Sequence, residues 1–307
     1  LVHTYKYRIT ERSYLMLLNL IITTDLTMVI YSIIFQFEKI KRAFTIGSSY
    51  SNELTSFFIS NHEYALYLLI GFQSCLLCYH FLSGAKSLVK NRYIILSLLF
   101  LVNMILTFSR TAILGVCVLL ITYILISNNN KVKRLALSLM LTTVILFIIS
   151  KDFNEFMLKI VLKGNNDAGR FSMWNFGLNI YKDSSLLQKL TGQGSAKITQ
   201  ALFYYSNHKS FHNAYIQVLL QFGLIGFLFF IYVIISSIIN GIKLTHKDKF
   251  LSAMFISTSI STIAYMFTNT TLIMQSSIDS YILTMFSIIL PIYVKNSIYN
   301  NEFYDIN

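Results

Sequence analysis

The sequence predicts an all-α polytopic membrane protein: a bundle of transmembrane helices with one long polar segment. Of its 307 residues, 55% are hydrophobic and only 12% are charged, and the mean hydropathy is +0.59. An ordinary soluble domain is less apolar and carries about twice that share of charge. Apolar runs long enough to cross a hydrocarbon layer of about 30 Å also recur along the whole chain. The composition therefore excludes a soluble globular enzyme.

Eight runs have the length and apolar character of a membrane-spanning helix. They cover residues 13–36, 62–83, 92–108, 111–127, 132–150, 213–240, 250–268 and 278–295. The first run is too long and too rich in threonine for a signal peptide. Because the chain begins with Leu1 rather than Met, we expect it to be part of a longer protein.

The basic residues predict how these spans are oriented. Cytoplasmic loops carry an excess of Lys and Arg, and the basic N-terminal segment is taken as cytoplasmic. Alternating spans then place basic residues in every loop on that side: Lys86, Lys90, Arg92, Lys131, Lys133, Arg134, Lys243, Lys247, Lys249 and Lys295. The sequence "FEKIKR" is the one loop that contradicts this pattern, since it places three basic residues outside.

Three parts follow from this topology. Residues 1–150 form N-terminal transmembrane helices, 151–212 an extracytoplasmic catalytic segment, and 213–307 the C-terminal transmembrane helices. The middle part holds eight basic and four acidic residues, which indicates an anionic partner at that surface.

The middle part also shows two helical patterns and a turn. Apolar residues from Phe153 to Val161 recur at helical spacing and predict a short helix on the membrane surface. A second amphipathic helix carries Phe171, Trp174, Leu178 and Tyr181 on one face. The glycines of "TGQGS" then predict a tight turn.

Neither the cysteines nor the acidic residues predict a metal, redox or cofactor site. Cys75, Cys78 and Cys117 all fall in apolar runs, where a free cysteine behaves as a small hydrophobic residue. The sequence has no cluster of His, Cys and carboxylates at metal-ligand spacing and no glycine-rich nucleotide motif. We therefore expect chemistry without a metal or cofactor, or no chemistry.

Two arginines on the predicted external side are candidates for binding phosphate. Arg110 lies in the short turn between two spans, and Arg170 opens the sequence "GRFSMW", one helical turn before Trp174. A guanidinium group can bind two oxygens of a phosphate at once. The alternative for Arg110 is an arginine that extends to the lipid headgroups, and for Arg170 an ordinary loop residue.

His212 is the candidate general base. It precedes Asn213 in "NHKSFHNAYIQVLLQFGLIG", at the start of a long apolar run. If Ser210 caps that helix, His212 lies in its first turn, where the helix dipole favours the neutral imidazole that can accept a proton. The alternative is a histidine that only caps the helix. His208 lies four residues earlier and is expected to be solvated.

Three further ionisable residues are secondary candidates. His62 and Glu63 lie in "SNHEYA" at the predicted outer end of the second span. Asp25 lies in the middle of the first apolar run, where a carboxylate is costly unless it has partners. Thr23, Thr24 and Thr27 are close enough in sequence to be those partners, so structural and functional interpretations of Asp25 are equally open.

The motifs "FSRTAILGVCVLLITYIL", "GRFSMWNFGLNIY", "TGQGS" and "HNAYIQVLLQFGLIG", in this order and spacing, resemble the O-antigen polymerase and ligase family. That family comprises the Wzy-type polymerases of O-antigen and capsular polysaccharide and the lipopolysaccharide ligases. The resemblance covers roughly residues 95–240, and the segment "SNHEYALYLLI" shows a weaker similarity. It implies a GT-C-like glycosyltransferase in the bacterial cytoplasmic (inner) membrane, with its active site on the extracytoplasmic side.

The resemblance also implies roles for single residues. Arg110 and Arg170 would bind the pyrophosphate of an undecaprenyl-linked glycan, and His212 would assist the acceptor hydroxyl, with Trp174 and Asn213 as secondary candidates. Family members often carry a glutamate where this chain has Gln221, so a carboxylate role is not expected there.

Three functions are compatible with these expectations. The first is polymerisation of lipid-linked oligosaccharide repeats, with membrane lipid, a flippase and a chain-length regulator as partners. The second is ligation of a finished glycan to a lipid or cell-wall acceptor. The third is a transporter or flippase of the lipid-linked sugar, which is disfavoured because the polar candidates collect on one side. No partnership with nucleic acid is expected.

Overall fold

The protein is all α-helical over the residues that the computed structural model describes. These are 10–43, 53–58, 60–82, 86–126, 134, 137, 170–206, 211–268 and 290–299. The longer helices are α1 (Glu11–Phe35), α2 (Phe37–Ala43), α3 (Asn61–Phe81), α4 (Ser87–Leu106), α5 (Arg110–Ile126), α6 (Arg170–Asp183), α7 (Leu186–Thr191), α8 (Ser195–Ser206), α9 (Ala214–Lys243), α10 (Lys249–Thr268) and α11 (Leu290–Tyr299).

Among the described residues, five helices are long and apolar enough to cross a membrane: α1, α3, α4, α9 with the short 3-10 turn that follows it, and α10. Helix α5 is equally apolar but has only 17 residues. The predicted all-α membrane fold is confirmed, whereas the predicted number of eight spans is not. Apart from residues 134 and 137, the predicted span 132–150 lies outside the described residues, as do the greater part of 278–295 and the predicted surface helix from Phe153 to Val161.

Helix α3 lies at the centre of the main bundle. Every residue from 64 to 75 is buried, because α3 packs against α1, α4, α5 and α10. Helices α5 and α10 pack closely where the Ser261 hydroxyl donates to the backbone carbonyl of Gly115, at 2.7 Å. The outer face of α1 exposes large apolar side chains such as Met16 and Leu20, as expected for a lipid-facing surface.

One end of the bundle carries two of the predicted cytoplasmic loops. The His80 ring, near the end of α3, stacks on Phe250 at the start of α10, with 3.9 Å between ring centroids, and its Nε2 lies 3.3 Å from Asp248. Lys90 approaches the ring of Tyr79 at the same end. The basic residues around 86–92 and 243–249 therefore share one end of the bundle. Its cytoplasmic location stays a prediction.

Helix α9 is broken at Gly223. This glycine has φ 66° and ψ −169°, outside the helical region, and the two segments fold toward each other. The rings of Tyr215 and Phe230 lie 5.7 Å apart, although a straight helix would separate these positions by about 22 Å. The prediction of one continuous span over 213–240 was therefore wrong. The segment after Gly223 has roughly 20 residues and is long enough to span the membrane alone.

The backbone of the "TGQGS" turn forms hydrogen bonds with the carbonyls on the N-terminal side of this break. The N–H groups of Gln193 and Gly194 donate to the carbonyls of Leu220 (2.9 Å) and Gln221 (3.1 Å). In an unbroken helix, those carbonyls would accept from residues four positions later. Gly192 and Gly194 have φ of 86° and 82°, so the predicted tight turn is confirmed, and it supplies the donors that the interrupted helix lacks.

Candidate functional site

Arg110 follows a tightly held turn between α4 and α5. Phe108 adopts a left-handed backbone with φ 52°, which costs a non-glycine residue about 1–2 kcal/mol. The turn is held by the Asn61 carboxamide, which donates to the Thr107 carbonyl at 2.8 Å, and by the Ser109 N–H, which donates to the Thr107 hydroxyl. Arg110 begins α5 with an exposed side chain.

The structure brings His62 to the same turn. Its Nδ1 lies 2.9 Å from the Ser109 hydroxyl oxygen, and Ser60 caps α3 by accepting the His62 N–H. The Tyr265 hydroxyl, from α10, donates to the His62 carbonyl at 3.1 Å. Glu63 follows in the first turn of α3 and is half-buried. The two secondary candidates therefore lie beside the turn that presents Arg110.

Arg170 begins α6 and is half-buried. The predicted helix is confirmed, but its buried face differs from the predicted one: Met173 and Gly177 are buried, whereas Phe171 and Leu178 are 62% and 40% exposed. Gly177 is required for this packing, because a Cβ there would lie 2.8 Å from the Phe211 ring.

Trp174 connects α6 to the segment that precedes α9. Its indole Nε1 donates to the Phe211 carbonyl at 2.8 Å. The ring also makes edge contacts with Phe171 on its own helix and with Phe267 at the end of α10. Trp174 thus holds the backbone immediately before His212.

His212 lies one residue before the cap of α9 rather than in its first turn. The helix begins at Ala214, and the Asn213 side-chain oxygen accepts the N–H groups of Tyr215 (3.0 Å) and Ile216 (3.1 Å). Asparagine is among the strongest N-cap residues, which explains why the helix starts there. His212 has φ 49°. The predicted cap Ser210 and His208, which is expected to be solvated, lie outside the described residues.

The last turns of α10 connect these groups. The Tyr215 hydroxyl, from the start of α9, donates to the Ile263 carbonyl at 3.0 Å. Two residues further, Tyr265 bonds to His62, and Phe267 contacts Trp174. The helices or segments that carry Arg110, Arg170 and His212 therefore meet at the same end of the bundle, opposite the end that holds His80.

Asp25 does not belong to this group. Its side chain is buried in the middle of α1, and both carboxylate oxygens lack a hydrogen-bond partner among the described residues. It lies against Gly71. The threonines that the sequence offers as partners do not bind it, because the hydroxyls of Thr23, Thr24 and Thr27 all donate to carbonyls of their own helix.

Three residues of this region were not predicted from the sequence. Ser109 contacts His62, and Tyr265 and Tyr215 join α10 to α3 and α9. Tyr265 lies 203 positions from its partner, so no local pattern reveals the contact. Gln221 donates to the Ser195 hydroxyl at 3.2 Å, which gives its carboxamide a structural partner.

Comparison with known proteins addresses the same region. No curated protein and no solved structure matches the chain. A family model described as O-antigen ligase matches residues 95–231, close to the 95–240 over which the motifs suggest the resemblance. The matched range includes Arg110, Arg170 and His212. Residues 95–231, somewhat less than half of the chain, thus resemble the O-antigen ligase family, which supports the family predicted from the sequence, that of the O-antigen polymerases and ligases.

Proposed function

We propose that this protein is a membrane glycosyltransferase that polymerises oligosaccharide repeat units linked to undecaprenyl pyrophosphate. The observation that carries the proposal is the common location of Arg110, Arg170 and His212 around the last turns of α10. Two guanidinium groups and one imidazole at a single end of an apolar bundle fit a substrate with a lipid tail, an anionic linker and a sugar.

The proposed reaction assigns one task to each side chain. The acceptor hydroxyl oxygen attacks the anomeric carbon of the donor sugar, the bond from that carbon to the pyrophosphate oxygen breaks, and His212 takes the hydroxyl proton. Arg110 and Arg170 stabilise the negative charge on the departing lipid pyrophosphate. Positioned charges of this kind are worth most in a site that excludes water. Because the leaving group is already a stable anion, no strong general acid is needed.

The extracytoplasmic face is the proposed location of this chemistry. The basic residues near 86–92 and 243–249 lie at the opposite end of the bundle from His62 and His212, and basic loops favour the cytoplasm. The side is testable by thiol labelling. Ser195, at the start of α8, is exposed, so a cysteine placed there by Ser195→Cys should react with an impermeant reagent in intact cells, whereas one placed at the other end by Lys247→Cys should not. The reverse pattern would contradict the proposed side.

Ligation is the second candidate function, and the description of the matching family model favours it. A ligase would use the same donor chemistry with a different acceptor, such as a lipid or cell-wall glycan. The residues around His212 serve either acceptor, so the distinction depends on which hydroxyl enters the site.

Reconstitution separates these functions. The purified full chain would be placed in vesicles with a defined undecaprenyl-linked repeat unit, and the products would be resolved by chain length. A polymerase should extend the lipid-linked glycan without another acceptor. Transfer that requires a separate acceptor would show ligation. Movement of the lipid-linked sugar across the vesicle without a new glycosidic bond would overturn both proposals in favour of a flippase.

A further inference from the structure

The helices α6, α7 and α8 border an open cleft with polar and apolar lining residues, which the proposed reaction does not use. Its volume is about 340 Å³, within the range of about 300–1,000 Å³ that is usual for small-molecule sites. The cleft lies along the C-terminal half of α6. Arg170 and Trp174 lie in the N-terminal half of that helix, so the cleft is separate from the residues around His212.

Carboxamides and a hydroxyl supply most of the polar lining. Asn179, Gln188 and Gln193 contribute side-chain amides, and Ser184 contributes a hydroxyl. The Gln193 amide already donates to Ser184, and the Gln188 amide oxygen already accepts from the Ser185 N–H, so a ligand would use the remaining sites of these groups and the Asn179 amide. A carboxamide donates through its nitrogen and accepts through its oxygen. Two neighbouring hydroxyl groups of a sugar need one donor and one acceptor, so this lining suits a ligand rich in hydroxyls.

The lining of the cleft carries no net formal charge. Asp183 and Lys197 are its only ionisable lining residues, and no ion pair joins them in the described structure. An anion such as pyrophosphate would therefore meet as much repulsion as attraction. A neutral ligand instead gains one strong acceptor and one strong donor.

An aromatic ring provides the apolar part of the lining. Phe176 stacks on Tyr205, with ring centroids 4.0 Å apart and planes inclined by 5°, which holds the Phe176 ring in place beside the cleft. Sugar rings have an apolar face of C–H groups as well as polar edges. The negative face of an aromatic ring attracts such C–H groups.

The cleft is also rigid before any ligand arrives. Ser185 and Gln188 form a capping box at the start of α7, and the Gln193 side chain donates to Ser184. The Gln193 N–H is in turn fixed to the Leu220 carbonyl at 2.9 Å. A preformed site loses little conformational entropy when it binds.

We propose that this cleft binds a neutral, hydroxyl-rich segment of the glycan at a distance from the bond being made. That the ligand is a glycan rests on the proposed function. Asn179 lies nine positions after Arg170 on α6, about 13 Å along the helix axis and about half a turn around it. A lipid-linked glycan whose pyrophosphate lies at Arg170 would therefore have to pass around α6 to place its sugars in the cleft.

Binding of lipid-free sugar tests the proposal without requiring catalysis. The probe is a set of short oligosaccharides released by mild acid from the lipid-linked intermediates of the producing cell. Saturation-transfer NMR with the full chain in detergent measures their affinity. Asn179→Ala and Lys197→Ala alter exposed residues and should each weaken binding about five- to tenfold, the effect of losing one hydrogen bond to a ligand. Asn175→Ala, one turn earlier on α6 and outside the lining, is the matched control.

The possible outcomes test sugar binding in the cleft and the proposed function separately. Equal binding by the wild type and both variants, or displacement of the sugar by inorganic pyrophosphate, would contradict the proposal that the cleft binds neutral glycan. A wild-type protein that transfers glycan but binds no released oligosaccharide would also contradict sugar binding in the cleft, while leaving the proposed function intact. Binding that depends on Asn179 and Lys197, with no transfer under any condition, would support sugar binding in the cleft and contradict the proposed glycosyltransferase activity.

Discussion

The indole Nε1 of Trp174 donates a hydrogen bond to the backbone carbonyl of Phe211, with 2.8 Å between nitrogen and oxygen. Phe211 is completely buried, and the next residue, His212, has a left-handed backbone. Such a conformation persists only where its surroundings hold it, and it is enriched at functional sites. Trp174 on one side and the Asn213 cap on the other hold the backbone of His212 in this conformation.

Trp174→Phe tests this positioning. Phenylalanine keeps an aromatic ring but removes the N–H donor, so the Phe211 carbonyl loses its partner. One hydrogen bond is worth about 1 kcal/mol, and we expect roughly a fivefold loss of transfer rate with normal membrane insertion. Leu178→Ala, an exposed position on the same helix, should have little effect. An unchanged rate in Trp174→Phe would show that the bond does not position His212.

Arg110→Lys and Arg170→Lys separate geometry from charge. Lysine keeps the positive charge but cannot bind two phosphate oxygens with a planar fork. If both arginines bind pyrophosphate, each variant should lose about tenfold or more in kcat/KM, since bidentate charge-assisted bonds are among the strongest. The measurement is transfer from the lipid-linked donor in reconstituted vesicles.

Arg12→Lys is the control for that experiment. Arg12 is an exposed arginine at the start of α1, at the opposite end of the bundle, and its replacement should leave the rate unchanged. Full activity in both site variants would mean that Arg110 and Arg170 serve as surface anchors and that the pyrophosphate is bound elsewhere.

His212→Ala tests the proposed base. A positioned general base contributes about 10²- to 10⁴-fold, so the rate should fall by that amount while donor binding is retained. The wild-type rate should decline at acidic pH, because protonation of the imidazole removes its acceptor site, and this decline should be absent in the variant. His208→Ala is the matched control and should cost little. If the acidic decline persists in His212→Ala, the base is another group, and His62 beside Ser109 is the first candidate.

Periodicity and composition predicted much of the fold, because the helical spans depend on local sequence. The boundaries of α1, α3, α5 and α10 lie within two residues of the predicted spans. Helix α4 begins earlier than predicted, at Ser87, and its polar first turn includes Lys90, which lies over the Tyr79 ring. Spans judged by hydropathy alone miss such polar helical ends.

The break in α9 was not predictable from local pattern. A glycine within a long apolar run is usually tolerated in a helix, and "QFGLIG" gives no sign that Gly223 leaves the helical region. What fixes the break is a contact with Gly192, 31 positions earlier in the chain. The site shows the same limit: the sequence indicated His62 and Arg110 separately, and only the fold joins them through Ser109.

Two glycines of the same turn provide a test of that contact. Gly192 and Gly194 both have positive φ, but a Cβ on Gly192 would lie under 3.0 Å from the Gln221 backbone, whereas one on Gly194 would meet nothing within 4 Å. Gly194→Ala should therefore cost only the backbone preference, about 1–2 kcal/mol. Gly192→Ala should cost more, because backbone cannot move aside. Thermal unfolding in detergent measures both, and equal losses would contradict the close contact.

The buried carboxyl of Asp25 gives the last prediction. A Cβ on Gly71 would lie under 3.0 Å from Asp25 Oδ2, so Gly71→Ala should destabilise the packing of α1 on α3 by about 1–3 kcal/mol, as overpacking does in other cores. Because the clash is with the carboxyl group, Asp25→Ala should restore much of the loss when both changes are combined, and a double-mutant cycle measures this coupling. Gly115→Ala is the matched control: its Cβ would instead meet Leu69 and Ser261 at 3.2 Å, so Asp25→Ala should not rescue it. Additive losses in the Asp25 and Gly71 pair would contradict the contact. Additivity would mean that the Asp25 carboxyl does not fill the space that Gly71 leaves between the two helices.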